Sequence, residues 1–269
     1  MLKDKVNLIL FIFLILGISL LLYPSIADYW NASRSTKVIS EYNDGLKNLS
    51  SETIEREYNR AVEYNKKLLT RNNSQDKIKE MDDYYNILKV GNNDVMANIY
   101  IPSINVRLPI YHGTDENILQ SGLGHIEWTS LPVGGVGTHS AITGHRGLVS
   151  ARLFTDIDQL EPGDIFKIYV LDKELDYQVD NITVVEPHET KDLLIDKDKD
   201  LVTLVTCTPY GINTHRLLVR GKRIDGPLDL SHITSEAYRI KPTVVAAVMI
   251  IPASIIFGAI NLAMDRRRK

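Results

Sequence analysis

The sequence predicts a mainly β protein, a barrel or sandwich of about eight short strands, with an N-terminal helical segment and an apolar span at either end. Three observations predict it. Beyond Gly91, short runs rich in Val, Ile, Thr and Tyr alternate with Pro-, Gly- and Asn-containing turns. From Asp28 to Lys89 the chain is polar, charged and poor in Pro and Gly, with apolar residues at helical spacing. Val6–Tyr23 and Thr243–Met264 carry no charge, and each is near the length that crosses about 30 Å of hydrocarbon. The 269 residues are enough for one good core plus these additions.

Taken in order, the first span follows Lys3 and Lys5, and the second precedes Arg266, Arg267, Arg268 and Lys269. The positive-inside rule then puts both termini in the cytoplasm and residues 24–242 outside. Ser25-Ile26-Ala27 offers small residues for signal-peptide cleavage, but the apolar run is long for a signal h-region, so a retained anchor is expected. The whole chain is −3 at pH 7; the N-terminal tail contributes +1 and the C-terminal tail +3, leaving −7 between the spans. An acidic outer portion argues against nucleic acid as partner. The expected organisation is a tail and anchor (1–27), a helical flank or lid region (28–90), the β domain (91–226), a linker (227–242) and a second transmembrane helix with a basic tail (243–269).

Tyr42, Leu46 and Leu49, then Ile54, Tyr58, Ala61, Val62 and Leu69, recur at helical spacing and predict helices over roughly 30–50 and 51–71. Strands are expected at 97–101 and 106–110, the latter an edge or irregular strand because of Pro109. Thr114 is positioned to cap a short helix running to Gln120, with Glu116 in its first turn. Further strands are read at 139–143, 165–171 and 177–186, with a helical turn near 153–160 and a charged loop at 191–199. Two last strands, 201–206 and 216–219, flank a loop rich in turn residues.

That last hairpin holds the one cysteine of the chain, Cys207, which excludes an intramolecular disulfide and a Cys-rich zinc site. A lone cysteine is usually an inert core residue. This one ends a strand beside a Pro-Gly loop, with Arg216 beyond it. If the strands pair about the middle of the loop, Cys207 and Arg216 oppose each other, with Cβ atoms about 5 Å apart. A thiol beside a guanidinium is in an electropositive setting that favours reaction. Of the seven histidines, His145 stands out because it follows a strand and lies between Gly144 and Gly147; His139 and His215 remain alternatives by spacing. The glycine-rich stretch Gly134-Gly135-Val136-Gly137 fits neither phosphate-binding motif and reads as a flexible loop, and zinc on His139, His145 and Cys207 lacks a short-spaced ligand pair. No cofactor is expected.

The segment TLVTCTPYGINTHRLLVRG resembles the active-site strand-loop-strand of the sortases, in particular the class C, pilus-assembling sortases. TGHRGL at 143–148 resembles that family's catalytic histidine motif, and IYIPSINVRLPIYHGT and LPVGGVGTHSAITGHRG are similar to class C sequence. The resemblance covers about 97–225. It implies a sortase-type closed β-barrel and a cysteine transpeptidase in the cell membrane of a Gram-positive bacterium. By motif, Cys207 would be the nucleophile, His145 the general acid/base and Arg216 the stabiliser of substrate and oxyanion. The implied partners are pilin or surface proteins with an LPXTG-like sorting signal, cut between Thr and Gly, and an acceptor amine, a pilin lysine or a peptidoglycan precursor. A sortase that anchors proteins to peptidoglycan, a cysteine hydrolase and a non-enzymatic membrane-tethered binding module are the competing readings.

One stretch departs from the class C pattern. Many of those sortases hold a lid over the cysteine with an Asp-Pro-aromatic motif. Residues 70–90 contain no proline; Asp82-Asp83-Tyr84 is the nearest substitute. Tyr84 and Tyr85 are expected instead to pack on the barrel, leaving the lid loose or missing and Arg216 without an intramolecular carboxylate.

Overall fold

The computed structural model describes residues 2–70, 83–90 and 94–224, with isolated positions between 244 and 258. Of the described residues, those from 32 to 148 and from 152 to 224 belong to one compact unit, and those up to 31 to another. Helix α1 (Leu2–Lys47) runs without a break through Pro24, so the first span and the first predicted flank helix are one element. A helix-interior proline removes one hydrogen bond; here the long runs on either side carry the helix past it. Its apolar part is long enough to cross a membrane. The second predicted span falls outside the described residues except at isolated positions.

Helix α2 (Ser51–Thr70) buries Ala61, Tyr64, Asn65 and Leu68. The buried stripe therefore ends on Leu68, four residues beyond Tyr64, whereas the predicted Leu69 is exposed. Polar side chains fix both helices to the barrel. Asn65 donates to Leu131 O (3.0 Å) and accepts from Leu131 N (2.8 Å), and Tyr58 donates to Val133 O (3.0 Å). Tyr42 of α1 donates to Met96 O (3.1 Å) and accepts from Leu171 N (2.9 Å).

Eight strands close the barrel: β1 (Val95–Ile101), β2 (Val106–His112), β3 (Leu123–His125), β4 (Thr138–Thr143), β5 (Ile165–Val170), β6 (Lys173–Val185), β7 (Asp200–Thr208) and β8 (His215–Arg223). Around the barrel the order is β1-β2-β3-β4-β7-β8-β6-β5. Closure removes free sheet edges. Buried Ile99, Ile110, Leu123, Ile142, Phe166, Ile168, Leu204 and Val219 supply its core. Pro109 faces Asn98 of β1, but β3 pairs with β2 only from Ile110 onward, so the proline sits where β2 has one neighbour. The short helix α3 covers only Glu116–Leu119. Its N-cap is Asp115 rather than the predicted Thr114, and it makes no side-chain cap bond. The loop at Gly134–Gly137 is tied down: Gly135 N donates to Asp200 Oδ2 (2.7 Å), and Thr138 Oγ1 donates to Gly135 O (2.6 Å).

Candidate active site

β4 and β7 are neighbours that run parallel, with Thr143 paired to Val205. Gly144 N donates to Val205 O (3.1 Å), and Thr206 Oγ1 donates to Gly144 O (2.7 Å). One residue further along each chain come His145 and Cys207; one beyond that, Arg146 donates to Thr208 Oγ1 (3.2 Å). The contacts before and after thus hold His145 level with Cys207 at the end of the two strands. Gly144 is required there: a Cβ would lie 2.5 Å from Leu123 Cδ2 and 3.1 Å from the Phe154 ring.

On the other side of β7, the antiparallel β7–β8 hairpin pairs Cys207 with Arg216 and Thr208 with His215. Cys207 is a free, half-buried thiol. The Arg216 guanidinium donates to His215 O (3.1 Å) and Asn213 O (3.4 Å). Among the described residues it has no carboxylate within ion-pair distance. Cys207 therefore lies between a histidine-bearing strand end and an arginine-bearing one.

The alternative histidines are otherwise employed. His139 is buried, with Nδ1 2.9 Å from Leu194 O and Nε2 2.7 Å from Thr203 Oγ1. Burial lowers its affinity for a proton. His215 is paired opposite Thr208, and its Nδ1 is 2.9 Å from Thr214 Oγ1. His145 differs: Nε2 is buried without a hydrogen-bond partner and lies 3.3 Å from Glu116 Oε1, close enough for an ion pair but out of line for a hydrogen bond.

In the sequence, Arg146 entered only as part of the TGHRGL motif, and its work was missed. Its guanidinium joins Asp158, Thr208 Oγ1 and the ring of Tyr210, 5.8 Å away, so it clamps the histidine loop to the cysteine loop. Gly147, at φ +80, approaches the same ring. Glu116 was read only as a first-turn helix residue. The sequence carries no signal for either contact, because both cross between distant segments.

Asp83 pairs with Arg60 of α2 (3.2 Å) rather than with Arg216. Tyr84 is buried, donates to His125 Nδ1 (2.8 Å) and accepts from Gly113 N (3.0 Å), while Tyr85 donates to Glu127. Tyr84 is therefore packed on the barrel, and the exposed Tyr85 is tied to it through Glu127. Residues 71–82, the rest of the expected lid stretch, lie outside the described residues.

A closed eight-stranded barrel thus carries a cysteine, a histidine and an arginine on adjoining strand ends, a set suited to thiol chemistry. Residues 99–224 match the family profile described as the sortase domain. The chain is 45% identical to the crystal structure of sortase C1 from Streptococcus agalactiae, covering 71% of this chain and 100% of that one, with a TM-score of 0.66. It is 44% identical to sortase C from Clostridium perfringens, covering 71% and 99%, with a TM-score of 0.61. Among curated relatives it is 32% identical to Sortase A of Bacillus anthracis, over 47% of this chain and 59% of that protein. The match therefore spans less than two thirds of that relative's length. The chain belongs to the sortase family, and the solved structures it resembles are sortases of class C.

Proposed function

We propose that this protein is a membrane-anchored sortase transpeptidase, with 91–226 as its catalytic domain. It cleaves an LPXTG-like sorting signal between Thr and Gly and transfers the new carboxyl end to an amine, a pilin lysine, during pilus assembly. The observation that carries the reading is the placement of Cys207 opposite Arg216 and level with His145. The Cys207 thiolate attacks the threonine carbonyl carbon, and Arg216 stabilises the oxyanion. Protonated His145 gives its proton to the glycine nitrogen as the C–N bond breaks, leaving a thioester. The incoming amine attacks that thioester, loses a proton to His145 and expels the Cys207 thiolate. An apolar surface beside the cysteine suits the Leu-Pro end of such a signal: partly exposed Ile126, Trp128 and Val185 pack on Ala141, Leu193, Val205 and Leu218.

Catalysis on exported proteins places the barrel outside the cell and both termini in the cytoplasm, with α1 as anchor. The test is incubation of the detergent-purified full chain with an LPXTG peptide, followed by intact mass. A thioacyl adduct that disappears in Cys207→Ala is expected; its absence from the parent protein sinks the reading. Product analysis with and without an amine separates transpeptidation from hydrolysis, and a pilin lysine from a peptidoglycan amine.

A further inference from the structure

We propose that Tyr84 and Tyr85 are positioning residues for the sorting signal: through His125 and Glu127 they fix the turn that carries Trp128 into the substrate surface. The proposal rests on the assignment, made above, of that apolar surface to the Leu-Pro end of the signal.

The surface lies on the sheet face that carries the cysteine. Val205 is two residues before Cys207 on β7, Leu218 is two after Arg216 on β8, and the two are paired. Side chains two apart on a strand share a face. Partly exposed Trp128 and Ile126 pack on this pair and on Ala141 of β4. Neither belongs to a strand. They sit in a turn just after β3, closed by Thr129 N donating to Ile126 O (2.9 Å). β4 fixes the ends of that turn. Ile126 N donates to Ala141 O (2.9 Å), Ala141 N to Thr129 Oγ1 (3.0 Å) and Ser130 N to His139 O (2.9 Å).

The two tyrosines grip the same turn from the opposite flank. Tyr85 donates to Glu127, the residue next to Trp128. The buried Tyr84 hydroxyl accepts from Gly113 N (3.0 Å) and donates to His125 Nδ1 (2.8 Å). On its far side, His125 Nε2 donates to Ser130 O (2.8 Å). A line of buried bonds thus crosses from Tyr84 through the imidazole to the end of the turn. The Tyr84 and His125 rings also stack, with centroids 5.7 Å apart. A fully paired buried network makes its surroundings rigid. A wall held rigid before binding spares the cost of ordering it when the peptide arrives. The effect belongs to binding, because the β7–β8 pairing, and not this turn, places Cys207 and Arg216.

The experiment uses the full chain in detergent. The chain holds two tryptophans, so Trp30→Phe leaves Trp128 as the one indole reporter. In that background, Tyr84→Phe and Tyr85→Phe each remove a hydroxyl and keep the ring. Tyr84 is buried, so its variant is measured on the folded fraction; Tyr85 is exposed, and its variant tests the grip without touching the core. KM for an LPXTG peptide is expected to rise about three- to tenfold in Tyr84→Phe, the scale of one net hydrogen bond, and less in Tyr85→Phe, with kcat unchanged. Trp128 emission should shift to the red and be quenched faster by acrylamide in both. Trp128→Ala should raise KM by itself and leave Tyr84→Phe little further effect. Unchanged KM and unchanged quenching in both tyrosine variants overturn the proposal. So does a loss in kcat alone, a KM rise with no change at Trp128, or full additivity with Trp128→Ala. If the parent protein forms no thioacyl adduct, the reaction proposed above has failed and this inference with it. If the parent is active and the tyrosine variants are silent, this inference alone falls.

Discussion

His125 and His145 sit near the ends of neighbouring strands, β3 and β4, and have opposite surroundings. His125 is fully buried; its Nδ1 accepts from Tyr84 and its Nε2 donates to Ser130 O (2.8 Å). Burial drives its affinity for a proton down, to a pKa of about 4. It is a neutral structural strut. His145 keeps a ring nitrogen without a hydrogen bond, beside a carboxylate and level with a thiol. A histidine is made structural by filling both ring positions, and made available for proton transfer by leaving one open. The two cannot be told apart by residue type or by strand position.

The sharpest way to break this comparison is to delete members of each group. Cys207→Ala is expected to abolish the thioacyl adduct. His145→Ala and Arg216→Ala should each cost at least about a hundredfold in kcat/KM, the range for a lost acid/base or oxyanion donor. His139→Gln, measured on the folded fraction, should cost far less. Near-normal turnover of His145→Ala would move the acid/base role to His139 or His215 and erase the distinction.

The buried member predicts a pH effect on stability. The unfolded His125 ring binds a proton below about pH 6.5, the folded one only below about 4. Between these values the unfolded chain holds the extra proton, so stability is full above the window and falls as pH falls through it. The loss from His125 alone approaches about 3 kcal/mol. Burial also lowers the proton affinity of His112 and His139, which adds slope of the same sign. Denaturant melts from pH 7 to pH 4 should show a clearly shallower slope in His125→Gln. An unchanged slope would mean that the ring is not the neutral strut described.

Much of this was legible in the sequence, for reasons that differ by element. The β7–β8 pairing followed from turn residues centred between two β-branched runs, and it placed Cys207 opposite Arg216. β3 was missed because Leu123-Gly124-His125 is short and carries a glycine in place of a β-former. That glycine is demanded by tertiary contact: a Cβ there would meet Gly113 O at 2.4 Å. The parallel β4–β7 pairing, and with it the level placement of His145, depends on barrel closure that no local pattern encodes. The Arg146 clamp is non-local in the same way. Arg146→Met removes its bonds to Thr208 and Asp158 while keeping most of the side-chain volume. It should lower kcat/KM about tenfold with little change in Tm, since small displacements of reacting groups are costly. A matching fall in Tm would make the clamp a general brace instead.

The smallest predicted effect concerns the entrance, where this chain departs from the class C lid pattern. An anchored lid needs an acidic partner for Arg216 and a ring over the thiol. The nearest acid among the described residues of that stretch, Asp83, is 3.2 Å from Arg60. The nearest rings, Tyr84 and Tyr85, bond to His125 and Glu127. Both anchors are therefore spent on holding the segment to the barrel flank. Among the described residues, Arg216 is left with backbone carbonyls for partners. Cys207 in the free enzyme should then react readily with a small thiol reagent, and deletion of residues 72–80 should change that rate by less than about threefold, the scale of a weak exposed contact. Deletion is the right perturbation because it leaves Asp83, Tyr84 and Tyr85 in place. A strong acceleration would show that residues 72–80 shield the thiol through anchors other than an Asp-Pro-aromatic triplet, and the open histidine would then work behind a closed door.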